Sequence, residues 1–87
     1  MKPINFAGAN VVFAKDQPQY LPLPAYIEKG DPEGKVSTVW QLSAEELEKI
    51  QENGGKIELC QLTFGKPFQP VKLSVYEPEN NQYPKSN

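Results

Sequence analysis

Cys60, the chain's single cysteine, is the side chain best suited to nucleophilic chemistry. A cysteine nucleophile needs a lowered pKa, which usually comes from a histidine or from a helix N-terminus. The sequence contains no histidine, and Cys60 follows Leu59 in a segment typical of a strand. Because free cysteines are commonly buried, we expect Cys60 to be a structural core residue.

Acidic side chains cluster in residues 45–52, where a carboxylate pair or a metal site could be suspected. Glu45, Glu48 and Glu52 share one face of a helix by their spacing. Hard-cation sites, however, gather oxygen ligands from a turned loop or from several elements. The acids are typical of the solvated face of an amphipathic helix. Residues 29–34 lack the spacing of a calcium loop and indicate a turn, so we predict no metal site.

Phosphate-binding chemistry has little support in the sequence. The chain has no arginine and neither of the glycine-rich phosphate motifs. Gly65 and Lys66 follow a predicted strand, but Pro67 and Pro70 remove two backbone amides that a phosphate nest would use. Since histidine is also missing as a general base, we predict a non-enzymatic protein with no catalytic residue and no cofactor.

Five of the nine prolines lie in two aromatic-proline segments, residues 17–24 and 64–70, called here the first and second proline run. Proline fixes its own φ and favours extended geometry in the preceding residue, so each run should be stiff. Two compatible interpretations follow. The favoured one is that the runs cover the edges and open face of a small sheet; the other is that they form a binding surface. The candidate binding residues are Tyr20, Leu23, Tyr26, Phe64, Lys66 and Phe68.

Size and composition restrict the chain to one modest domain. The net charge of −2 leaves no basic face, which argues against a nucleic-acid partner. No segment approaches the roughly 20 apolar residues that cross a bilayer, and the N-terminal residues lack the apolar centre of a secretory signal. We therefore expect a cytoplasmic protein with no membrane partner. Formation of a homo-oligomer would supplement the stability of such a small core.

The clearest local signal is the capping-box pattern of residues 43–46, a serine followed three positions later by a glutamate. It predicts a helix over residues 44–52 that ends at Asn53 and the two glycines after it. Leu47 and Ile50 belong to the stripe expected to face inward, together with Ala44.

Strand-like patterns occur on both sides of this helix. The predicted strands are residues 11–13, 25–28, 35–42, 56–64 and 71–75. The fourth changes its apolar phase near Cys60, which indicates either a bulge or cover on both faces. We predict an α+β domain over residues 1–76, with a mainly antiparallel sheet of three to five strands and one helix. The polar residues 77–87 are predicted to form a disordered tail.

Three segments carry a family likeness: Asp16-Gln-Pro-Gln-Tyr-Leu-Pro-Leu-Pro-Ala25, Val39-Trp-Gln-Leu-Ser43 and Leu62-Thr-Phe-Gly-Lys-Pro-Phe-Gln-Pro-Val71. Over roughly residues 10–75 the chain resembles small proteins encoded by tailed bacteriophages and prophages. Those proteins carry a QPxYLPLP run, a tryptophan-bearing strand, a short helix and an LTFxQPxQP run. This chain departs from the pattern at Lys66 and in its longer C-terminal segment. The resemblance implies a phage-encoded accessory protein in the cytoplasm of a bacterial host.

Three functions are compatible with that setting. The leading expectation is a protein that binds a host protein, with an anti-defence or host-takeover role. One alternative is an oligomeric sponge that sequesters a nucleotide signal by tyrosine stacking and by lysines such as Lys66 and Lys72. The absence of arginine counts against the sponge. The other alternative is a minor virion or assembly protein.

Overall fold

The computed structural model describes residues 1–17, 19 and 21–78, which form five short strands and one helix. The elements are β1 Lys2–Ile4, β2 Val11–Phe13, β3 Leu23–Ile27, β4 Val36–Ser37, β5 Val39–Gln41 and α1 Ala44–Glu52. β1 pairs with β5, while β3 lies between β2 and β4, and every pairing is antiparallel. The predicted α+β class, with mainly antiparallel strands and one helix, is confirmed.

The strand predictions succeed in the first half of the chain and fail in the second. The strand at 11–13 is β2, the one at 25–28 begins two residues earlier as β3, and the one at 35–42 is divided into β4 and β5. β1 has no counterpart among the predicted strands. The two strands predicted at 56–64 and 71–75 do not form, because those segments pair with no other strand among the described residues.

The core forms where the two sheets meet, because β1 contacts β3. Phe6, Tyr26 and Val39 make the buried cluster, and Ile4, Ala9 and Tyr76 pack against it. Ala25, next to Tyr26 in β3, is also buried. Phe6, Ala25, Tyr26 and Val39 are the buried hydrophobic residues of the described ranges, which is a small core for that part of the chain.

The first proline run ends inside β3, so the middle strand of the three-stranded sheet contains a proline, Pro24. Proline cannot donate a backbone hydrogen bond and is normally confined to sheet edges. Pro24 lies opposite Val12 of β2, whereas β4 pairs only with Tyr26 and Ile27. At Pro24, therefore, β3 has a neighbouring strand on one side only.

Asn10 extends the pairing between β2 and β3 with its side chain. Its Nδ2 donates to the carbonyl oxygen of Ile27, and the Ile27 amide donates to its Oδ1, both at 2.9 Å. The chain before Asn10 turns away at Gly8, whose φ is 101°. The asparagine amide thus replaces the backbone partner that a longer β2 would have offered to Ile27.

α1 begins and ends as the sequence predicts. The Glu46 amide donates to Ser43 Oγ at 3.1 Å, and the Ser43 amide donates to Glu46 Oε1 at 2.9 Å, which completes the capping box. At the other end Gly54 and Gly55 have φ of 83° and 85°. Glycine adopts this left-handed geometry without steric cost, and the Gly55 amide reaches the Ile50 carbonyl at 2.7 Å.

The prediction of an inward-facing stripe on α1 is wrong. No residue of the helix is buried, and Leu47 is 52% exposed. The stripe needs an apolar surface to pack on, and the sheets keep their buried side chains in the small cluster around Tyr26.

In the described part of the chain, no helix has the length and apolar character to cross a membrane.

The cap makes helix stability depend on pH. A hydrogen bond from the Met1 amino group, with a second from the Ser43 amide, lowers the pKa of Glu46 from 4.5 to about 2. A depressed carboxyl pKa stabilises the fold fully above 4.5, and this contribution is lost as the pH falls through 2. Chemical denaturation of the wild type and Glu46→Gln should therefore show stabilities that differ at pH 6 and converge towards pH 2. A difference that is constant with pH would contradict this cause.

Candidate functional site

A long exposed loop follows α1, and we call residues 56–75 the apolar loop. Every residue in it is exposed except Thr63, which is half-buried. Both ends are attached to the rest of the chain: the Asn53 side chain bonds the amide and carbonyl of Lys56 at 2.8 and 3.1 Å. After the loop, the Tyr76 ring packs edge-on against Phe6 with ring centroids 6.2 Å apart. Loops of this length without secondary structure are uncommon and usually functional or disordered.

The apolar loop carries most of the exposed large hydrophobic side chains of the described chain. They are Ile57, Leu59, Leu62, Phe64, Phe68, Val71, Leu73 and Val75, exposed by between 48% and 87%. Soluble monomers rarely expose large contiguous apolar patches, and such patches usually mark interaction sites. The loop is therefore the strongest candidate for a functional surface in this fold.

A tight turn forms at the middle of the loop. The Lys66 amide donates to the Thr63 carbonyl at 3.0 Å, and the two residues between them, Phe64 and Gly65, have φ of 53° and 79°. Positive φ at both central positions is the pattern of the type I′ hairpin turn. Phe64 adopts it although a bulky side chain is disfavoured there, and its ring is 87% exposed. The turn thus holds an aromatic ring out in solvent.

Proline explains why this turn is not followed by a paired hairpin. With Thr63 opposite Lys66 as the first hydrogen-bonded pair, the next such positions recur every two residues. That register places Pro70 opposite Leu59 at a position where it should donate, and proline has no N–H. The missing donor removes a ladder hydrogen bond four residues from the turn, and in the structure the two arms of the loop form no ladder beyond the bond from Lys66 to Thr63.

The structure places the candidate binding residues in three different environments. Phe64, Lys66 and Phe68 lie together around the turn and are exposed, Phe68 by 57%. Tyr26 is 7% exposed in the core, so it packs the domain and is not accessible to a partner. Leu23 is half-buried at the start of β3, and Tyr20 lies outside the described residues.

Two further expectations about this region are corrected. The second proline run is exposed throughout, so it does not cover a sheet. Cys60 is exposed as well, rather than a core residue. Both errors share one cause: a strand at 56–64 would have buried one side of this segment, and without the ladder nothing in the described chain covers it.

The acidic residues make local structural contacts. Both carboxylate oxygens of Asp31 accept backbone amides, from Glu33 and from Lys35, each at 3.1 Å. Glu45 pairs with Lys49 one helical turn later at 3.5 Å. Within the described residues no group of three or more histidine, cysteine or acidic side chains could hold a metal ion. These contacts close a turn and stabilise a helix face.

Comparisons with protein-family models, with curated proteins and with solved structures found no match for this chain.

Proposed function

We propose that this chain is a non-enzymatic protein that binds another protein through its second proline run, residues 64–70. The observation that supports this most is the exposure of Phe64 and Phe68 around a formed turn. Aromatic side chains are prominent among the residues that dominate binding energy at interfaces. Here two of them and one lysine project from a seven-residue segment attached to a small folded domain.

The backbone of this run contains a turn that forms without a partner. The hydrogen bond from Lys66 to Thr63 fixes the turn, and Pro67 and Pro70 restrict the residues around Phe68. A preorganised loop loses less conformational entropy on binding than a flexible one, which raises affinity for a given set of contacts. The positive φ of Phe64 fits the same interpretation, because strained backbone is concentrated at functional sites.

The partner that suits this surface has two apolar pockets for the rings and an acidic group beside them for Lys66, since complementary charge favours the correct partner. The resemblance to phage and prophage proteins supplies the setting that we propose: an accessory protein in the cytoplasm of a bacterial host, acting on a host protein in host takeover or in countering a defence system.

Capture from a bacterial lysate tests the proposal. The tagged wild-type chain should retain a specific protein, and the double variant Phe64→Ser with Phe68→Ser should retain at least about 30-fold less of it, because each ring is a candidate hot spot. The matched control is Leu21→Ser, which removes a large side chain that is 69% exposed in the first proline run. Circular dichroism of all three chains verifies that they fold alike.

The control should retain the protein as well as the wild type does. Equal retention by the double variant would show that the second proline run is not the contact surface. Equal loss in the control would show that the capture is unspecific apolar adhesion.

A further inference from the structure

The chain exposes more surface than a folded monomer of its mass should. Its accessible area is 7740 Å², whereas a globular monomer of 9.8 kDa exposes about 5,200 Å². Even if the eleven residues outside the described ranges exposed the full area expected of an unfolded chain of their mass, they would account for only about 2,000 Å². The rest of the chain still exceeds the area expected for its own mass by about 1,100 Å².

That excess is the amount that one protomer of a stable dimer buries. Two chains that each covered about 1,100 Å² would form an interface of about 2,200 Å², within the range of obligate homodimers. The small core of the described residues is consistent with this, because oligomerisation is one way in which a small core is supplemented.

The C-terminal arm of the apolar loop has a sequence that is complementary to itself. Val71-Lys-Leu-Ser-Val75 has the same apolar alternation in both directions about Leu73. If two copies pair in antiparallel orientation with a two-fold axis at Leu73, then Val71 faces Val75 and Leu73 faces its own copy. Residues two apart share one face of a strand, so all six apolar side chains lie on one face. Lys72 then faces Ser74, and no like charges are opposed.

This arm is also free to accept a partner strand. Val71, Leu73 and Val75 are 50%, 64% and 80% exposed, and the segment forms no strand with the described part of its own chain. The N-terminal arm of the same loop does not pair with it either, because the hairpin between the two arms is interrupted at Pro70. A segment of alternating apolar side chains whose backbone groups have no partner in the described chain is, once extended, a template for pairing with another chain.

We propose that a second copy of this chain covers the C-terminal arm of the apolar loop, by antiparallel pairing of Val71–Val75 with the same segment about a two-fold axis at Leu73. A self-complementary patch closes into a symmetric dimer, which is the commonest form of soluble oligomer. The pairing uses the C-terminal arm and leaves the ring of Phe64 at the turn outside the paired segment. It is therefore independent of the proposed host-protein contact.

Sedimentation equilibrium of the full chain is the first test. We expect a mass of twice 9.8 kDa, and Leu73→Lys should raise the dimer dissociation constant at least about 30-fold, because it places two lysines opposite each other and removes two apolar contacts. The matched control is Leu21→Lys, which changes a leucine of similar exposure, 69% against 64%. This control should leave the dissociation constant within about threefold.

Disulfide trapping tests the register, in a chain whose own exposed cysteine is removed by Cys60→Ser. Directly opposite residues of paired strands have Cβ atoms about 4.5–5.5 Å apart, close to what a disulfide spans. Under mild oxidation Leu73→Cys should therefore cross-link with its own copy. Val71→Cys and Val75→Cys should each cross-link poorly alone and efficiently when the two are mixed.

A wild-type chain that is still monomeric at about 100 µM, which corresponds to a free energy of association weaker than about −5.5 kcal/mol, would overturn the proposal, as would a dimer that Leu73→Lys leaves intact. Cross-linking in a different pattern would overturn the proposed register. Lysate capture by a monomeric chain would show that host binding stands while the dimer does not. Loss of capture in the Phe64→Ser, Phe68→Ser variant with an intact dimer would show that both hold.

Discussion

Replacing Tyr26 by alanine is expected to lower the free energy of unfolding by about 3 to 5 kcal/mol. Tyr26 is 7% exposed and forms the buried cluster with Phe6 and Val39. Truncating a large buried ring removes its transfer free energy and leaves a cavity. At about 0.1 kcal/mol per residue the whole chain has only about 9 kcal/mol of stability. The expected loss is therefore about a third to a half of the total, so this variant should stay folded in water but unfold at a much lower urea concentration than the wild type.

Phe64→Ala is the matched control for this prediction. It removes a ring of similar size that is 87% exposed, and it should change the free energy of unfolding by less than about 0.5 kcal/mol. Urea denaturation followed by far-UV circular dichroism measures both variants, at one fixed protein concentration because dimerisation would couple to unfolding. A loss below 1 kcal/mol for Tyr26→Ala, or equal losses for the two variants, would contradict the assignment of Tyr26 to the core.

This pair of residues shows how far sequence reasoning reaches at the candidate site. Tyr26 and Phe64 both belong to aromatic-proline contexts, and the sequence pattern groups them as one binding surface. Their roles separate because Tyr26 lies in β3, where it pairs with Ser37 of β4 and clusters with Phe6 and Val39, whereas Phe64 lies in a turn whose hairpin does not form. Burial depends on which strands pair, and that choice involves residues far apart in the chain.

Local signals, in contrast, are sufficient for α1. The capping box at Ser43 and the glycines after Asn53 act over five residues or fewer, so the sequence predicts both ends of the helix correctly. The same holds for the turn at residues 29–34, where the Asp31 carboxylate accepts two nearby amides. These features need no information about the rest of the fold.

The two strand predictions that are wrong fail because the segments lack a pairing partner, not because their residues have low strand propensity. Residues 56–64 and 71–75 have the alternation and composition of strands, but a strand also needs a neighbour that can donate and accept along its whole edge. Pro70 removes one such donor from the hairpin that these two segments would otherwise form. The exposed alternation that results is the reason for proposing a second copy, which presents the same segment with its edge unbroken from Val71 to Val75. β1 is the opposite case, a segment with a weak strand pattern that has a pairing partner. It is three residues long and contains Pro3, and it forms because β5 lies opposite it.

Asn10→Ala is expected to lower the free energy of unfolding by about 2 to 4 kcal/mol, although it removes only one polar side chain. The Asn10 amide bonds both the N–H and the C=O of Ile27 at 2.9 Å in a partly buried position. Alanine leaves both backbone groups without a partner, and an unsatisfied buried group costs about 1 to 3 kcal/mol. Ile27 also pairs with Val36 of β4, so the loss should loosen the end of β3 where it meets β4.

Asn53 offers a control that matches Asn10 in chemistry and differs in burial. Its side chain makes the same two bonds, to the amide and carbonyl of Lys56 at 2.8 and 3.1 Å, at an exposed position. Water can replace these bonds, so Asn53→Ala should cost less than about 1 kcal/mol. Urea denaturation of both variants, with hydrogen exchange at the Ile27 amide, measures the contrast. Equal losses of unfolding free energy in the two variants would show that burial of the asparagine hydrogen bonds makes no difference. Unchanged protection of the Ile27 amide in Asn10→Ala would show that water or a shifted β2 replaces the Asn10 side chain.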